Sequence, residues 1–316
     1  MNVFRGSAQL RAVPACALTI GNFDGVHRGH RALLEALTIG AKAKGLTSCV
    51  MTFEPHPKEF FSPATAPSRI LNLRDKLAAF AEIGIDQVVI ERFNTAYAEL
   101  TPEQFVSEIL IRRLNTKWIL IGDDFCYGAK RAGNFVSLQR AGEQFGFEVS
   151  NINTVLENQE RISSSALRNA LAQGDMSKAE ILLGRPYAIS GHVIYGRQLG
   201  RTLGFPTLNI AVANHLPERK PAMTGIFTVL VHGLGVDPLP GVASLGVRPT
   251  VEDMGRVLLE VHVFDFNATV YGRIIRVELL EKIRDEAKYP DLDALQFAIQ
   301  NDAQYARDYF QKKVHV

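Results

Sequence analysis

The sequence has few cysteines, almost no excess charge and no long apolar run, and each absence excludes a class of protein. Its three cysteines, Cys16, Cys49 and Cys126, are too few and too unpatterned for a disulfide framework. A net charge of +2 gives no strong field for nucleic acid or an acidic membrane surface. No apolar run approaches the roughly 18 residues that span a bilayer, and residues 1–13 lack the apolar core of a signal peptide. We therefore expect a soluble cytoplasmic protein that binds small molecules rather than nucleic acid or membrane.

The length of 316 residues and the change of pattern near Gly184-Arg185-Pro186 predict two domains, 1–184 and 185–316. In the first, strands alternate with helices, which is typical of an α/β domain with a doubly wound parallel sheet. The strands are expected at 16–20, 46–53, 87–93, 118–121 and 147–153, and the helices at 31–44, 73–83, 101–114, 136–145 and 175–183.

The second domain is expected to be all-β with one closing helix. Its apolar segments are short and separated by glycine, proline and polar turns, which predicts a small antiparallel barrel or sandwich. They lie at 188–195, 208–212, 226–231, 241–245, 257–264 and 274–283. A helix over 291–310 should pack on these strands through one broad side that carries Leu292, Leu295, Phe297, Ile299, Tyr305 and Phe310. Nothing in the sequence fixes the oligomeric state.

The most informative stretch runs from Gly21 to His30 and lies between the first strand and the first helix. Such a glycine-containing turn leaves backbone N–H groups pointing outward, which is a phosphate site. It contains neither the P-loop lysine nor the GxGxxG spacing. His27 and His30 at the helix start could hold a phosphate chain and the charge that develops on it. The alternatives are a metal pair and two histidines that only cap the helix. The residues of the stretch considered as binding are Gly21, Asn22, Phe23, Asp24, Gly25 and Gly29.

Two further loops follow strands and therefore lie at the edge where open parallel sheets bind ligands. Pro55 and His56 belong to a rigid loop, Glu-Pro-His-Pro, which could equally be a structural turn. Asp124, Phe125 and Tyr127 belong to a glycine-rich loop whose acids and aromatic faces suit a flat ring system. A solvated turn is the alternative there.

Three consecutive hydroxyl side chains, Ser163, Ser164 and Ser165, begin a predicted helix that carries Arg168 one turn later. Serines at a helix start ordinarily cap it. The alternative is a second anion site, in which the hydroxyls and the guanidinium bind phosphate oxygens.

The second domain has two segments of chemical interest. The first contains repeated glycines and two arginines, suited to a flexible cationic flap over phosphate, although a simple glycine-rich hairpin would look the same. It ends in Pro-Thr-x-Asn, whose oxygens suit Mg²⁺, a hard ion. The residues concerned are Gly191, Gly196, Arg197, Gly200, Arg201, Gly204, Pro206, Thr207 and Asn209.

The second segment is a predicted strand with alternating side chains, in which Glu260, His262 and Phe264 share one face. An acid on the inner face of a barrel is costly unless it is used. An acid on the outer face is unremarkable, and the alternation does not choose between the two faces.

The quoted strings together resemble one family. The string GNFDGVHRGH resembles the start of the bacterial bifunctional riboflavin kinase/FAD synthetases and contains the HxGH signature of the nucleotidylyltransferase superfamily. The strings TFEPHP and ISSSALR resemble two further motifs of that family. GDDFCYGAKRAG resembles another, with Tyr127 where phenylalanine is commoner. GHVIYGRQLGRTLGFPTLN and EVHVFDF resemble its kinase signatures. The likeness covers nearly the whole chain and is weakest at 62–100 and 212–224.

The resemblance implies an N-terminal Rossmann-like nucleotidylyltransferase domain and a C-terminal riboflavin kinase β-barrel. The kinase would make FMN from riboflavin and ATP, and the first domain would join FMN and ATP into FAD and pyrophosphate. His27, His30 and Arg168 would serve adenylylation. Glu260 would be the kinase base, Thr207 and Asn209 would hold Mg²⁺, and Arg284 would line the kinase cleft. Two other functions stay open: a nucleotidylyltransferase for another substrate with a non-catalytic barrel, and a flavin or nucleotide sensor.

Overall fold

The computed structural model describes residues 1–10, 14–152, 156–157, 160–196, 200, 203–212, 221–247 and 257–314. The chain forms two compact units, one of Met1–Pro67 with Lys76–Ser163 and one of Ser68–Asp75 with Ser164–Val316. The two helices that precede residue 184 thus belong to the second unit, although the sequence pattern grouped them with the first half.

The first unit is built on a parallel sheet of six strands in the order β1-β4-β3-β2-β5-β6. Five of these strands were predicted. The sixth, β1, lies at the edge and pairs with β4 from Asn2 opposite Gln87 to Arg5 opposite Ile90. The strands are β1 Asn2–Arg5, β2 Cys16–Ile20, β3 Thr47–Glu54, β4 Gln87–Arg92, β5 Thr116–Gly122 and β6 Glu148–Ile152.

Helices alternate with these strands, as the sequence pattern predicts. The apolar stripe of the first helix is confirmed, because Leu33, Leu34, Leu37 and Ala41 are all buried. The helices are α1 Arg28–Ala43, α2 Pro57–Phe61, α3 Leu73–Ile83, α4 Thr95–Ala98, α5 Pro102–Gln104, which continues as a π-helix over Phe105–Arg113, α6 Phe135–Phe145, α7 Ser164–Gln173 and α8 Met176–Leu183. Short 3-10 turns lie at Ser7–Gln9, Pro63–Thr65 and Ala129–Arg131, and a small hairpin at β7 Leu156–Glu157 and β8 Glu160–Arg161.

The second unit contains a closed antiparallel barrel in the order β10-β13-β12-β11-β14-β9. Closure decides between the barrel and the sandwich that the sequence left open. Large apolar side chains such as Phe227, Leu259 and Val261 are fully buried. The strands are β9 Tyr187–Ile194, β10 Leu208–Ala211, β11 Gly225–His232, β12 Leu239–Val247, β13 Val257–Val263 and β14 Ile274–Arg284.

A segment from the first half of the chain, Ser68–Asp75, packs within this second unit. The Tyr187 hydroxyl donates to the Ile70 carbonyl at 2.8 Å, and the Asn72 amide donates to the Ser190 carbonyl at 3.0 Å. The Ser190 N–H in turn donates to the Asp75 carboxylate at 3.0 Å. These three bonds hold the segment along β9.

The C-terminal helix α9, Leu292–Val314, is present, but only part of its predicted packing side is covered: Leu295, Ile299 and Phe310 are half-buried. Leu292, Phe297 and Tyr305 are exposed. The helix instead buries the small residues Ala303 and Ala306 in a cluster with the barrel residues Val242 and Phe264. Small side chains let a helix lie close to a barrel wall, so the largest apolar residues are not the ones in contact. Among the described residues no helix is long and apolar enough to cross a membrane.

Truncation of the α1 stripe should destabilise the first unit. Leu34 is fully buried, so Leu34→Ala should cost about 2–5 kcal/mol in the free energy of unfolding. Ile39 lies on the same helix at 71% exposure, so Ile39→Ala should change it by less than about 0.5 kcal/mol. Urea denaturation followed by circular dichroism compares the two. Equal losses would contradict the burial assigned to this stripe.

Candidate active sites

The first candidate site is the turn that joins β2 to α1. Its backbone is left-handed at Phe23 (φ 48°), Gly25 (φ 93°) and Val26 (φ 42°). Residues other than glycine rarely adopt this backbone conformation, yet Phe23 and Val26 both do. Phe23 is fixed by its ring, which packs edge-on against Phe80 at 5.6 Å between centroids. The surrounding packing therefore holds the turn in a strained shape.

The two histidines lie stacked at the first turn of α1, with ring centroids 3.6 Å apart and planes 14° apart. His27 is the N-cap, because its Nδ1 accepts the His30 N–H at 3.2 Å. The capping alternative is thus realised for His27, whose Nδ1 must be unprotonated to accept that bond. The Nδ1 atom of His30 is buried and has no partner among the described residues.

Burial lowers the pKa of His30 well below its usual value, and the positive charge of Lys76 lowers it further. His30 is therefore a neutral imidazole at physiological pH, able to donate from one ring nitrogen and accept at the other. Lys76 was not among the predicted site residues. It is buried on α3, and its ammonium donates to the Asn22 carbonyl at 2.8 Å.

His56 lies after β3, at the same edge of the sheet. Its Nδ1 accepts the Lys58 N–H at 3.0 Å, and its own N–H donates to the Glu59 carboxylate at 2.9 Å. This capping box gives the loop of Pro55 and His56 a structural part at the start of α2. Contact with a ligand stays a prediction for both residues.

The glycine-rich loop after β5 divides its predicted residues between surface and core. Tyr127 is buried, and its hydroxyl lies 3.2 Å from that of Ser137. Phe125 is half-buried and stacks on Tyr127, with centroids 5.8 Å apart. Asp124 is exposed and pairs with Arg161 at 3.0 Å. Phe125, rather than Tyr127, therefore has a ring face available to a ligand.

These two rings continue a row of aromatic side chains that the sequence analysis missed. Neighbouring centroids are 5.3 to 6.4 Å apart, and the row crosses the ends of β3, β4 and β5. The signal in the sequence was an aromatic residue at or just after each strand end. The members are Phe53, Phe93, Tyr97, Phe105, Tyr127 and Phe125.

The serine segment lies at the division between the two units. Ile162, just before Ser163, has its carbonyl oxygen 3.6 Å from the position that a Cβ on Gly29 would take. Ser164 and Ser165 open α7. In the second unit, Arg168 donates from Nε to the Ser68 carbonyl at 2.7 Å. The strand-to-helix turn and the start of the serine segment thus lie together in the first unit.

The second candidate site is on the outer face of the barrel. On β13 the side chains of Leu259 and Val261 are buried, whereas Glu260 and His262 are half-exposed between them. Glu260 therefore lies on the outer face of the barrel. Of the two faces that the sequence left open, this is the one where an acidic side chain is common. The register places it directly opposite Asn209 on β10 and opposite Ser244 on β12. Residues paired in this way have their side chains on the same face.

Asn209 is the best-defined polar group of this site. It is 4% exposed, and its Oδ1 atom has no hydrogen-bond partner among the described residues. Gly196 lies so close that a Cβ there would collide with the Asn209 amide. The carbonyl oxygen of Pro206 lies at hydrogen-bond distance, 2.9 Å, from His262 Nδ1. A buried oxygen acceptor without a donor, next to Thr207, fits a hard cation.

The remaining predicted kinase residues have varied surroundings. Arg284 forms a two-pronged ion pair with Asp302 of α9, at 2.8 Å and 2.5 Å, so its guanidinium is tied to the terminal helix. The carbonyl of Gly200 accepts the Phe205 N–H at 2.7 Å, and Gly204 is left-handed at φ 85°. Gly191 packs closely on Ile210. Arg197 and Arg201 lie outside the described residues.

Glu286 is a further acidic residue of the second unit. It follows β14, and its carboxylate lies against Gly246 of β12, where a side chain would collide with it. Burial raises the pKa of Glu286, and the charge of Glu260 raises it further. The two carboxylates therefore interact on one side of the barrel.

Comparison with known proteins agrees with this geometry. The family model for FAD synthetase matches residues 10–166, and the model for riboflavin kinase matches residues 183–310. A bifunctional riboflavin kinase/FMN adenylyltransferase of Escherichia coli K12 is 46% identical, with 98% of each chain covered. The chain belongs to the bifunctional riboflavin kinase/FMN adenylyltransferase family.

Other members of the family and one solved structure are also similar. The Pseudomonas fluorescens enzyme of the same name is 44% identical, with 97% of each chain covered. A crystal structure described as a macrolide-efflux protein from Streptococcus pneumoniae has a TM-score of 0.77 at 28% identity. It covers 96% of this chain and 98% of that one. The efflux function named in that description is a statement about the streptococcal protein and is not transferred to this chain.

The neutral state of His30 is directly testable. Because its folded pKa is lowered, the unfolded chain binds the proton more readily, with a pKa of about 6.5. Stability contributed by His30 is thus full above about pH 6.5 and falls as the pH drops below it. Histidine NMR titration should show no transition near 6.5 for the resonance that His30→Gln removes. A normal titration of that resonance would contradict the burial of a neutral ring.

Proposed function

We propose that each of the two sites carries one activity of the family. The chain phosphorylates riboflavin to FMN with ATP and joins FMN and ATP into FAD and pyrophosphate. The observation that carries the assignment is the difference in chemistry between the sites. The first offers donors, a cation and neutral imidazoles, whereas the second offers a carboxylate beside a buried oxygen acceptor.

The matches at residues 10–166 and 183–310 support 1–184 and 185–316 as the two catalytic domains. We also infer that both reactions take place in the cytoplasm. There ATP is available, and the three cysteines, all free, would stay reduced.

Adenylyl transfer needs charge stabilisation rather than a base. The FMN phosphate is already an anion, and one of its oxygens attacks the α-phosphorus of ATP as pyrophosphate leaves. Negative charge builds on the α-phosphate oxygens. The turn amides of residues 21–27 and the imidazoles of His27 and His30 would donate to those oxygens. Ser163, Ser164, Ser165 and Arg168 would bind the outer phosphates.

The row of aromatic side chains would bind the isoalloxazine ring of FMN. It lies at the carboxyl edge of the parallel sheet, where ligands bind in folds of this class. Phe125 and Phe93 are half-buried members of the row, so each can offer a ring face. Asp124 would then lie beside the bound substrates, where its carboxylate can accept hydrogen bonds.

Riboflavin phosphorylation needs a base, because its nucleophile is a neutral hydroxyl. Glu260 would accept the proton of the ribityl 5′-hydroxyl while that oxygen attacks the γ-phosphorus of ATP, and ADP leaves. The pairing of Glu260 with Asn209 on the neighbouring strand supports this role. Gly196, Gly200, Gly204 and Arg201 would close over the phosphates, with Gly191 keeping β9 close to β10. Arg284 would support the cleft through its ion pair with Asp302.

Mg²⁺ would be held by the Thr207 hydroxyl and the Asn209 Oδ1 atom. When bound, the ion neutralises charge on the transferred phosphoryl group. The residues fit, because the unpartnered Oδ1 atom is buried and oxygen is the ligand that Mg²⁺ prefers.

The split assignment predicts opposite losses in two variants. His30→Ala should lower FAD formation from FMN at least about 100-fold while FMN still forms from riboflavin. Glu260→Gln should lower FMN formation by a similar factor while supplied FMN is still converted to FAD. Chromatography of riboflavin, FMN and FAD after incubation with Mg–ATP measures both steps.

Glu281→Gln is the matched control, since that carboxylate also lies on the barrel but binds the Tyr305 hydroxyl at 3.0 Å. It should leave both activities unchanged. The assignment fails if His30→Ala and Glu260→Gln lose the same single step.

The metal site makes a separate prediction. Asn209→Leu should raise the Mg²⁺ concentration for half-maximal FMN formation at least about tenfold, because a ligand oxygen is lost. Thr228→Val is the control, since Thr228 also has a buried hydroxyl without a partner among the described residues but lies on β11. A magnesium titration of the kinase reaction compares them. Equal Mg²⁺ dependence in both variants would exclude Asn209 as a ligand.

A further inference from the structure

We propose that Lys76 is a positioning residue of the adenylyl-transfer site. Its ammonium holds the strand-to-helix turn through the Asn22 carbonyl and presents a fixed positive charge to the phosphates that the turn binds. This inference rests on the proposed function of that turn and adds a cation to it.

The position of Lys76 on α3 is unusual for a lysine. It shares the buried face of the helix with Ala79 and Phe80, three and four residues later, and is 6% exposed. Lysines are almost never buried to this extent without a specific interaction. Packing alone would be served by leucine or methionine, so the charge itself calls for an explanation.

The contacts of α3 show what the charge is next to. Lys76 Nζ donates to the Asn22 carbonyl at 2.8 Å, and the Thr52 hydroxyl donates to the same oxygen at 3.3 Å. The next residue, Phe23, packs edge-on against Phe80. Helix α3 therefore holds two consecutive residues of the turn, one by a charged hydrogen bond and one by an aromatic contact.

Two buried polar atoms of the turn and of the helix start after it point to a ligand. Asn22 Oδ1 and His30 Nδ1 are both buried and have no partner in the described part of the chain. The charge of Lys76 is also among the causes that lower the pKa of His30, so the two side chains are electrostatically coupled. A lysine acts on phosphate as a point charge. In a site sheltered from water such a charge stabilises developing negative charge more strongly than it would in solvent.

The experiment removes the charge and keeps the packing. Lys76→Met retains a long apolar stem, and we expect kcat/KM for FAD formation to fall about 100-fold, the scale of one lost electrostatic group. FMN formation by the same preparation reports that the chain is folded. Lys76→Arg keeps the charge and should recover part of the activity. The control is Lys117→Met, an exposed lysine of β5, which should leave both activities unchanged.

A merely structural part for Lys76 would give the reverse order, because methionine fits a buried site better than arginine. The inference would be overturned if kcat/KM for FAD formation by Lys76→Met stayed within about twofold of that of the unchanged protein. It would also be overturned if Lys76→Met lost no more of this activity than Lys76→Arg. If the unchanged protein makes no FAD, the proposed function itself fails. Calorimetric titration with pyrophosphate then decides the matter for Lys76. At least about tenfold weaker binding by Lys76→Met supports the cation site, and equal binding refutes it.

Discussion

The hydrogen bond from the His30 N–H to the His27 Nδ1 atom fixes the geometry on which the first site depends. It starts α1, and it requires an unprotonated Nδ1 on His27. It also fixes the His27 ring, which accepts the bond and stacks on the His30 ring. Burial keeps His30 neutral beside it. The proposed triphosphate site would thus rest on hydrogen-bond donors of fixed orientation.

In the second site, the relative positions of the key side chains are set by strand register and not by the start of a helix. Because β10 and β13 are antiparallel, Asn209 and Glu260 face each other across one pair of strands, on the outer side of the barrel. Large apolar side chains of the barrel such as Phe227 and Leu259 are fully buried, whereas Glu260 is half-exposed. The outer face carries the acid at little cost, because its carboxylate keeps access to solvent until substrate covers it.

The spacing of apolar residues predicted most of the fold, because most helices and strands bury one regular row of apolar side chains. Strand β1 was missed since three of its four residues are exposed, so it has no buried face to give a pattern. The packing side of α9 was predicted only in part, because the helix buries the small residues Ala303 and Ala306 and pairs Asp302 with Arg284. No pattern of apolar residues encodes such a constraint. The site motifs could be found in the sequence because they are contiguous, whereas Lys76 is 54 residues from its partner Asn22.

The two sites use opposite solutions to the problem of charge. The first must stabilise the charge that develops when one anion attacks another, so it needs positive or neutral hydrogen-bond donors. The second must remove a proton from an alcohol, so it needs a carboxylate as base. The negative charge of that carboxylate also raises the pKa of neighbouring acids. The raised pKa of Glu286 beside Glu260 shows this effect on the barrel. Because neighbouring charges shift each other's pKa values, separate sites let each set of groups keep the protonation state that its reaction needs.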